Sequence, residues 1–190
     1  VCGRLDDPYP CRPFPQFQHP QNLTHLSISY NTYTARDPVE GLKQLSSLVN
    51  LQYLGLYNLN RTGVPGGWPS ELTQLTRLHA HYIHTRDVDI AQQFQHLSCL
   101  TALQELAGSP EPGQSSLPGM QHLSQLTSLT LHQTGDSDRP GLELSTAITH
   151  SWACRTALQE LALMGCAVQS EALTAFSQLQ SLCLSSVKHM

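Results

Sequence analysis

The chain has 190 residues, which at about 150 residues per domain is enough for one domain with a sizeable core. Charged residues make up 13% of it, against about 25% in an average globular chain, and the formal net charge is -4 with the Lys and Arg scattered. No basic stripe is present to release counterions from phosphates, and no apolar run approaches the roughly 18–20 residues that cross a bilayer, so nucleic-acid binding and a membrane span are both excluded.

Residues 1–20 carry Pro8, Pro10, Pro13, Pro15 and Pro20 without any repeat, so they read as a proline-rich leader or partial cap, ordered only if it covers the first strand. Cys2 and Cys11 fall here. They would close a short loop in an oxidising compartment or stay free thiols in a reducing one, and the six cysteines include no CxxC pair. The sequons at Asn22 and Asn60 matter only after secretion. The chain starts at Val1 and not at Met, which leaves a signal or an upstream domain open.

From residue 21 to 190 the chain is periodic. Leu23-Thr-His-Leu26-Ser-Ile28 recurs as Leu51-Gln-Tyr-Leu54-Gly-Leu56, and the same L-x-x-L-x-L frame fits Leu75, Leu78, Ala80; Leu103, Leu106, Gly108; Leu126, Leu129, Leu131; Leu158, Leu161, Leu163; and Leu179, Leu182, Leu184. That makes about seven units. The central leucines stand 28, 24, 28, 23, 32 and 21 residues apart, mostly inside the period of about 20–29 residues expected of leucine-rich repeats. At these residues the chain resembles the leucine-rich-repeat family. The stretch VPGGWPSELTQLTRL at 64–78 looks like the plant-type or Ras-suppressor-like form. The position where the family usually has Asn or Cys holds Asn31 and Cys166 in two units but Leu59, Ile83, Glu111, Thr134 and Val187 elsewhere, a departure from the buried asparagine ladder.

The resemblance implies an α/β solenoid: a curved parallel sheet on the concave face, with short helices and irregular returns on the convex side. The physics agrees, because no single unit can bury its own leucines and stacking gives them a shared core. Helices are expected from Asp37-Pro38-Val39-Glu40 to about Leu48, over 88–97, from Ser170, and within 142–153 of the insertion at 135–157; 108–119 is a proline-broken return. The chain runs only six residues past Leu184, so the repeat domain is expected to lack its C-terminal cap and to meet an adjacent domain or further repeats there.

Side chains alternate along a strand, so the frame leaves three rows on the outward face. One row reads His25, Tyr53, Arg77, Glu105, Ser128, Glu160, Ser181; the next Ser27, Gly55, His79, Ala107, Thr130, Ala162, Cys183; the third Ser29, Tyr57, His81, Ser109, His132, Met164, Ser185. The small middle row suggests a shallow channel. Tyr53, Tyr57, Arg77, His79, His81, Glu105 and His132 are the candidate partner-binding residues, since Tyr and Arg dominate interface hot spots and His makes contacts pH-sensitive. Arg77 is expected to pair with Glu105 across the sheet.

The rival chemistry is a metal on His79-x-His81, with His84, Glu105 or His132 as a third ligand, but no spacing demands it and none is expected. No G-x-S-x-G elbow, phosphate-cradling loop or dinucleotide fingerprint occurs, so neither catalysis nor a cofactor is expected. Cys99 and Cys166 read as buried structural thiols and Cys183 as an exposed one. The function expected is a non-catalytic module that binds a protein or peptide on its concave face, in the cytoplasm by preference, with extracellular and ciliary settings open. Its alternatives are a substrate-receptor or sensor segment of a larger regulatory protein, linked to an F-box, kinase or nucleotide-binding domain, and a metal-assisted enzyme using His79 and His81.

Overall fold

In the computed structural model the described residues are 2–4, 19–29, 44–57, 70–81, 96–109, 119–133, 143–144, 157–186 and 188–189. Every L-x-x-L-x-L frame becomes one short strand, because its last two apolar positions fall on alternate residues and so point to one side. The strands are β2 (His25–Ser29), β3 (Tyr53–Tyr57), β4 (Arg77–His81), β5 (Glu105–Gly108), β6 (Ser128–His132), β8 (Glu160–Met164) and β10 (Ser181–Ser185). With β1 (Cys2–Arg4) added outside β2, they form an eight-stranded sheet in the order β1-β2-β3-β4-β5-β6-β8-β10, parallel throughout. The register is that of the frame: Leu26, Leu54, Leu78, Leu106, Leu129, Leu161 and Leu182 lie side by side.

The sheet advances by one repeated hydrogen-bond step. The carbonyl of the residue just before each strand accepts two N–H groups from the next unit: Thr24 O takes Gln52 and Tyr53, Gln52 O takes Thr76 and Arg77, and Gln104 O takes Thr127 and Ser128. Thr76 and Thr127 add their hydroxyls to the Gln52 and Gln104 carbonyls at 3.1 and 3.2 Å. Behind the sheet, Leu54, Leu56, Leu78, Leu129, Leu131, Leu161 and Leu163 are fully or almost fully buried, and Leu51, Leu75, Leu103, Leu126 and Leu158 close the layer. At roughly 1.5–3 kcal/mol per buried leucine, this layer is the main source of stability. The last strand differs: Leu182 and Leu184 are 45% and 38% exposed.

The described parts of the returns wind tightly: Gln44–Ser47, His96–Cys99, Met120–His122 and Ser170–Ala175 are 3-10 helices, the first and last of them within stretches expected to be helical. Spacing explains this, because a unit must come back within a strand's width of its neighbour and a tight, short turn does so while still burying Leu45, Leu48, Leu97, Leu100 and Ala172. The remainder of the helices expected over 37–48 and 88–97, and the irregular return at 110–118, lie outside the described residues. In the insertion, residues 143–144 are strand β7 (Glu143–Leu144); residues 145–156, which hold most of the stretch where one helix was expected within 142–153, are outside the described set. β7 pairs with β9 (Ala167–Val168), and β9 with β11 (Lys188–His189), forming a second, three-stranded parallel sheet.

That second sheet depends on one turn used twice. After β8 the chain passes through Gly165 at φ 73°, and 21 residues later, after β10, through Ser186 at φ 54°. A Cβ on Gly165 would lie 2.5 Å from the Gln133 carbonyl oxygen, so glycine is needed there for space as well as for conformation.

Candidate functional site

The candidate residues belong to one patch of the outward sheet face because the register sets them on neighbouring strands: Tyr53↔Arg77↔Glu105 in one row and Tyr57↔His81 in another, with His79 between Gly55 and Ala107. Both tyrosine rings lie down over Gly55, which is itself buried. A Cβ there would stand 2.8 Å from Tyr53 Oη, 2.9 Å from Tyr57 Cε2 and 3.3 Å from Ser27 Oγ. The shallow channel expected along the middle row is therefore closed at β3, because large neighbours fall into the space a missing side chain leaves. The two hydroxyls meet at 3.1 Å.

From that pair a polar chain runs on. Tyr57 Oη is 3.5 Å from His79 Nδ1, and His79 Nε2 is 2.7 Å from Glu105 Oε1. A carboxylate only accepts, so Nε2–H donates to Glu105, and in the neutral ring Nδ1 is left to accept from the Tyr57 hydroxyl. Arg77 Nε is 3.7 Å from Glu105 Oε2 with its side chain 61% exposed. Glu105 thus belongs first to His79 and only loosely to Arg77, the reverse of the weighting expected from the rows; such an exposed pair contributes about 0–1 kcal/mol.

The rings form a continuous surface. His25 stacks on Tyr53 (centroids 6.0 Å apart, planes at 25°) and Tyr57 stacks on His81 (5.6 Å, 8°). His79 meets Tyr53 edge-on at 5.3 Å and His81 at 6.1 Å. His25 is not among the residues the sequence marks as candidates, although its place beside Tyr53 in the first row is the signal that points to it. His132 lies in the His81 row with Ser109 between them in sequence order, near enough to act on His81 through charge.

The electrostatics follow the burial. Tyr53 is pushed up to about 12, first by burial, then by the hydrogen bond and charge of Tyr57 and by the charge of Glu105. His81 is held below the usual imidazole value, again chiefly by burial and then by its neighbours His79 and His132. Such a patch can donate, accept, stack and take up protons. Glu105 is engaged with His79, and among the described residues no group of three or more His, Cys, Asp or Glu is arranged to hold a metal. His84 is outside the described residues.

Two further places are worth fixing. An open hollow of about 500 Å³ lies at the rim before the strands, lined by Thr24, Asn50, Gln52, Thr73 and Gln74 among others, none of them ionisable. Of the thiols, Cys166 is buried and pushed up to about 11 by burial, and Cys183 is exposed on the sheet face. Cys99 is half-buried, a correction to its expected full burial: it ends a 3-10 turn, and Leu97 and Leu100 take the inward places. Cys2 and Cys11 carry no described side chain.

This one-strand-per-unit stack over a leucine layer has a counterpart among solved structures. The chain is similar to an internalin from Listeria monocytogenes, with a TM-score of 0.52 and 17% sequence identity over 90% of this chain. The fold is a leucine-rich-repeat solenoid. The solenoid spans 44% of the length of that internalin chain. No protein-family model and no curated protein matches its sequence. Among the described residues, no helix of the solenoid is long and apolar enough to cross a membrane.

Proposed function

We propose that this solenoid binds a protein or peptide partner on its concave sheet face, without catalysis, and that Tyr53, Tyr57, Arg77, His79, His81, Glu105 and His132 supply the contact. The observation that carries this is the aromatic and polar patch itself. Five rings, from His25 to His81, lie in one surface whose hydrogen-bonding groups are already ordered by one another. Preordered aromatic groups lose little entropy on association, which is what an interface anchor requires. The neighbouring half of the face, Ser128, Thr130, Ala162 and Ser181, is small and leaves room for a chain to lie along it.

The subtype we favour remains the plant-type or Ras-suppressor-like repeat, on the wording of residues 64–78. A second reading, a receptor or sensor segment of a larger regulatory protein, is favoured by the exposed Leu182 and Leu184. In that reading an adjacent domain or further repeat covers β10, as β1 covers β2 at the other end and supports residues 1–20 as a partial cap. We place the module in the cytoplasm, where the unpaired Cys99, Cys166 and Cys183 would stay reduced. The test is affinity capture from the source cell with wild type and with a Tyr53→Ala, Tyr57→Ala, Arg77→Ala variant that melts like it. A protein retained by wild type and lost by the variant supports the face; the same protein on both moves the site elsewhere.

A further inference from the structure

The hollow at the rim before β2, β3 and β4 is a second place on the molecule, separate from the ring patch. Three successive units build it: Gln21 and Thr24, then Val49, Asn50 and Gln52, then Thr73 and Gln74. Its volume of about 500 Å³ falls in the range of about 300–1,000 Å³ usual for small-ligand sites. The frame requires mostly polar residues here, since they flank the inward leucines Leu23, Leu51 and Leu75 and turn to solvent. It does not require that none be charged. Among the described residues the lining is four carboxamides, two hydroxyls and one valine, and Val49 is 44% exposed.

The wall is held by backbone, so its side chains are placed before anything binds. Thr24 O accepts from Gln52 and Tyr53, Gln52 O from Thr76 and Arg77, and the N–H groups of Leu51 and Leu75 donate to Leu48 O and Leu72 O. Asn50 Nδ2 donates to Gln21 O at 2.8 Å, which joins the first unit to the second and leaves Oδ1 to accept. The Thr24 hydroxyl meets His25 Nδ1 at 2.9 Å. The side chains of Gln52, Thr73 and Gln74 are exposed and have no hydrogen-bond partner among the described residues. An anion would call for a cation in the wall and a cation for a carboxylate, and a large apolar ligand would call for an apolar lining. What such a wall matches is a neutral molecule with many paired donors and acceptors and a small apolar face. A sugar has both, because each ring hydroxyl donates and accepts while the C–H face of the ring is apolar. A carboxamide offers a donor and an acceptor side by side, which fits two adjacent ring hydroxyls.

We propose that the hollow binds a neutral oligosaccharide, with Gln52 and Gln74 each holding a pair of ring hydroxyls, Asn50 accepting through Oδ1, and Val49 packing on the C–H face. The site stands apart from the sheet face and does not depend on what that face binds. The test uses the whole chain, labelled with nitrogen-15, and follows its side-chain amide signals by NMR. The probes are cellotetraose, maltotetraose, laminaritetraose and chitotetraose, which are neutral, with trigalacturonate and a chitosan trisaccharide as charged comparisons and a neutral Gly-Ser peptide as a backbone-amide comparison. At least one neutral sugar is expected to give saturable shifts of the Asn50, Gln52 and Gln74 amides at millimolar concentration, and to bind more tightly than the charged sugars or the peptide. Affinity should fall about tenfold or more in Gln52→Ala, Gln74→Ala, which removes two hydrogen-bonding groups. It should be kept in Gln125→Ala, an exposed amide of the same rim outside the hollow. If the double variant melts early, wild type decides: nuclear Overhauser contacts must connect the Val49 methyl groups with sugar ring protons, and their absence overturns the proposal. It is equally overturned if no neutral sugar moves these amides, if the double variant binds as wild type does, or if a charged sugar or the peptide binds as tightly as the best neutral sugar.

Discussion

Gly55→Ala tests how the tyrosine patch is built. The new Cβ would stand 2.8 Å from Tyr53 Oη and 2.9 Å from Tyr57 Cε2, closer than such atoms approach, and both are outer atoms of side chains that can swing away. Breaking the 3.1 Å contact between the hydroxyls removes about 0.5–1.5 kcal/mol, and the displaced rotamers add about 0.5–1.5 kcal/mol. Replacing glycine in an ordinary strand conformation returns about 0.4–1 kcal/mol through the unfolded chain. The net is a loss of about 0–2.6 kcal/mol, at most comparable with the mildest core deletion. The informative readout is therefore not stability. Tyr53, pushed up to about 12 chiefly by its burial, should ionise closer to the ordinary tyrosine value once its ring lifts off Gly55. An ultraviolet titration of the tyrosines, with Tyr53→Phe in the same background to identify the one that moves, measures this. A variant that melts cooperatively and keeps Tyr53 titrating as in wild type would refute the packing of the two rings over Gly55.

Other consequences can be checked together. Leu54→Ala should cost about 2–5 kcal/mol by chemical denaturation, while Leu182→Ala, at the same frame position but 45% exposed, should cost less than about 1.5; equal losses would contradict the open end of the stack. Gly165→Ala combines a left-handed backbone with a Cβ 2.5 Å from a carbonyl oxygen and should cost at least about 1–2 kcal/mol, so a variant as stable as wild type would show that this turn is wrongly drawn. His81, with its folded value below the unfolded one, contributes stability that is present above the ordinary imidazole value near about 6.5 and lost as pH falls through the folded value. Part of the acid-side decline should therefore disappear in His81→Gln, and an unchanged profile would remove that cause.

The solenoid was legible because its signal is redundant. Leu26 and its six equivalents each state the same frame, and a one-residue slip of any strand would turn a buried leucine outward, so the register from His25 to Ser185 followed from spacing alone. The returns were less legible because Asp37-Pro38 and Ser170-Glu171 signal a helical start without saying how tightly the turn winds; that is set by the distance back to the next strand. Strand β7 was hidden since two residues, Glu143 and Leu144, carry no period, and their pairing depends on β9 and the turn at Gly165. In the patch, the rows put the right side chains on one face, but rows say nothing about tilt. The fall of two tyrosines onto Gly55 and the preference of Glu105 for His79 over Arg77 are decided by three strands at once. His25 was missed for the same reason: its ring matters only because Tyr53 lies flat enough to be stacked upon.

Whether the partner lies on the sheet face can be read from a site-specific cross-link. A photoreactive phenylalanine analogue is placed at Thr130 on the outward row of β6 in one sample and at Thr174 on the return after β9 in another, and each is irradiated with the captured partner. An adduct from position 130 and none from 174 is what the account requires. An adduct from 174 alone would place recognition on the returns and contradict it.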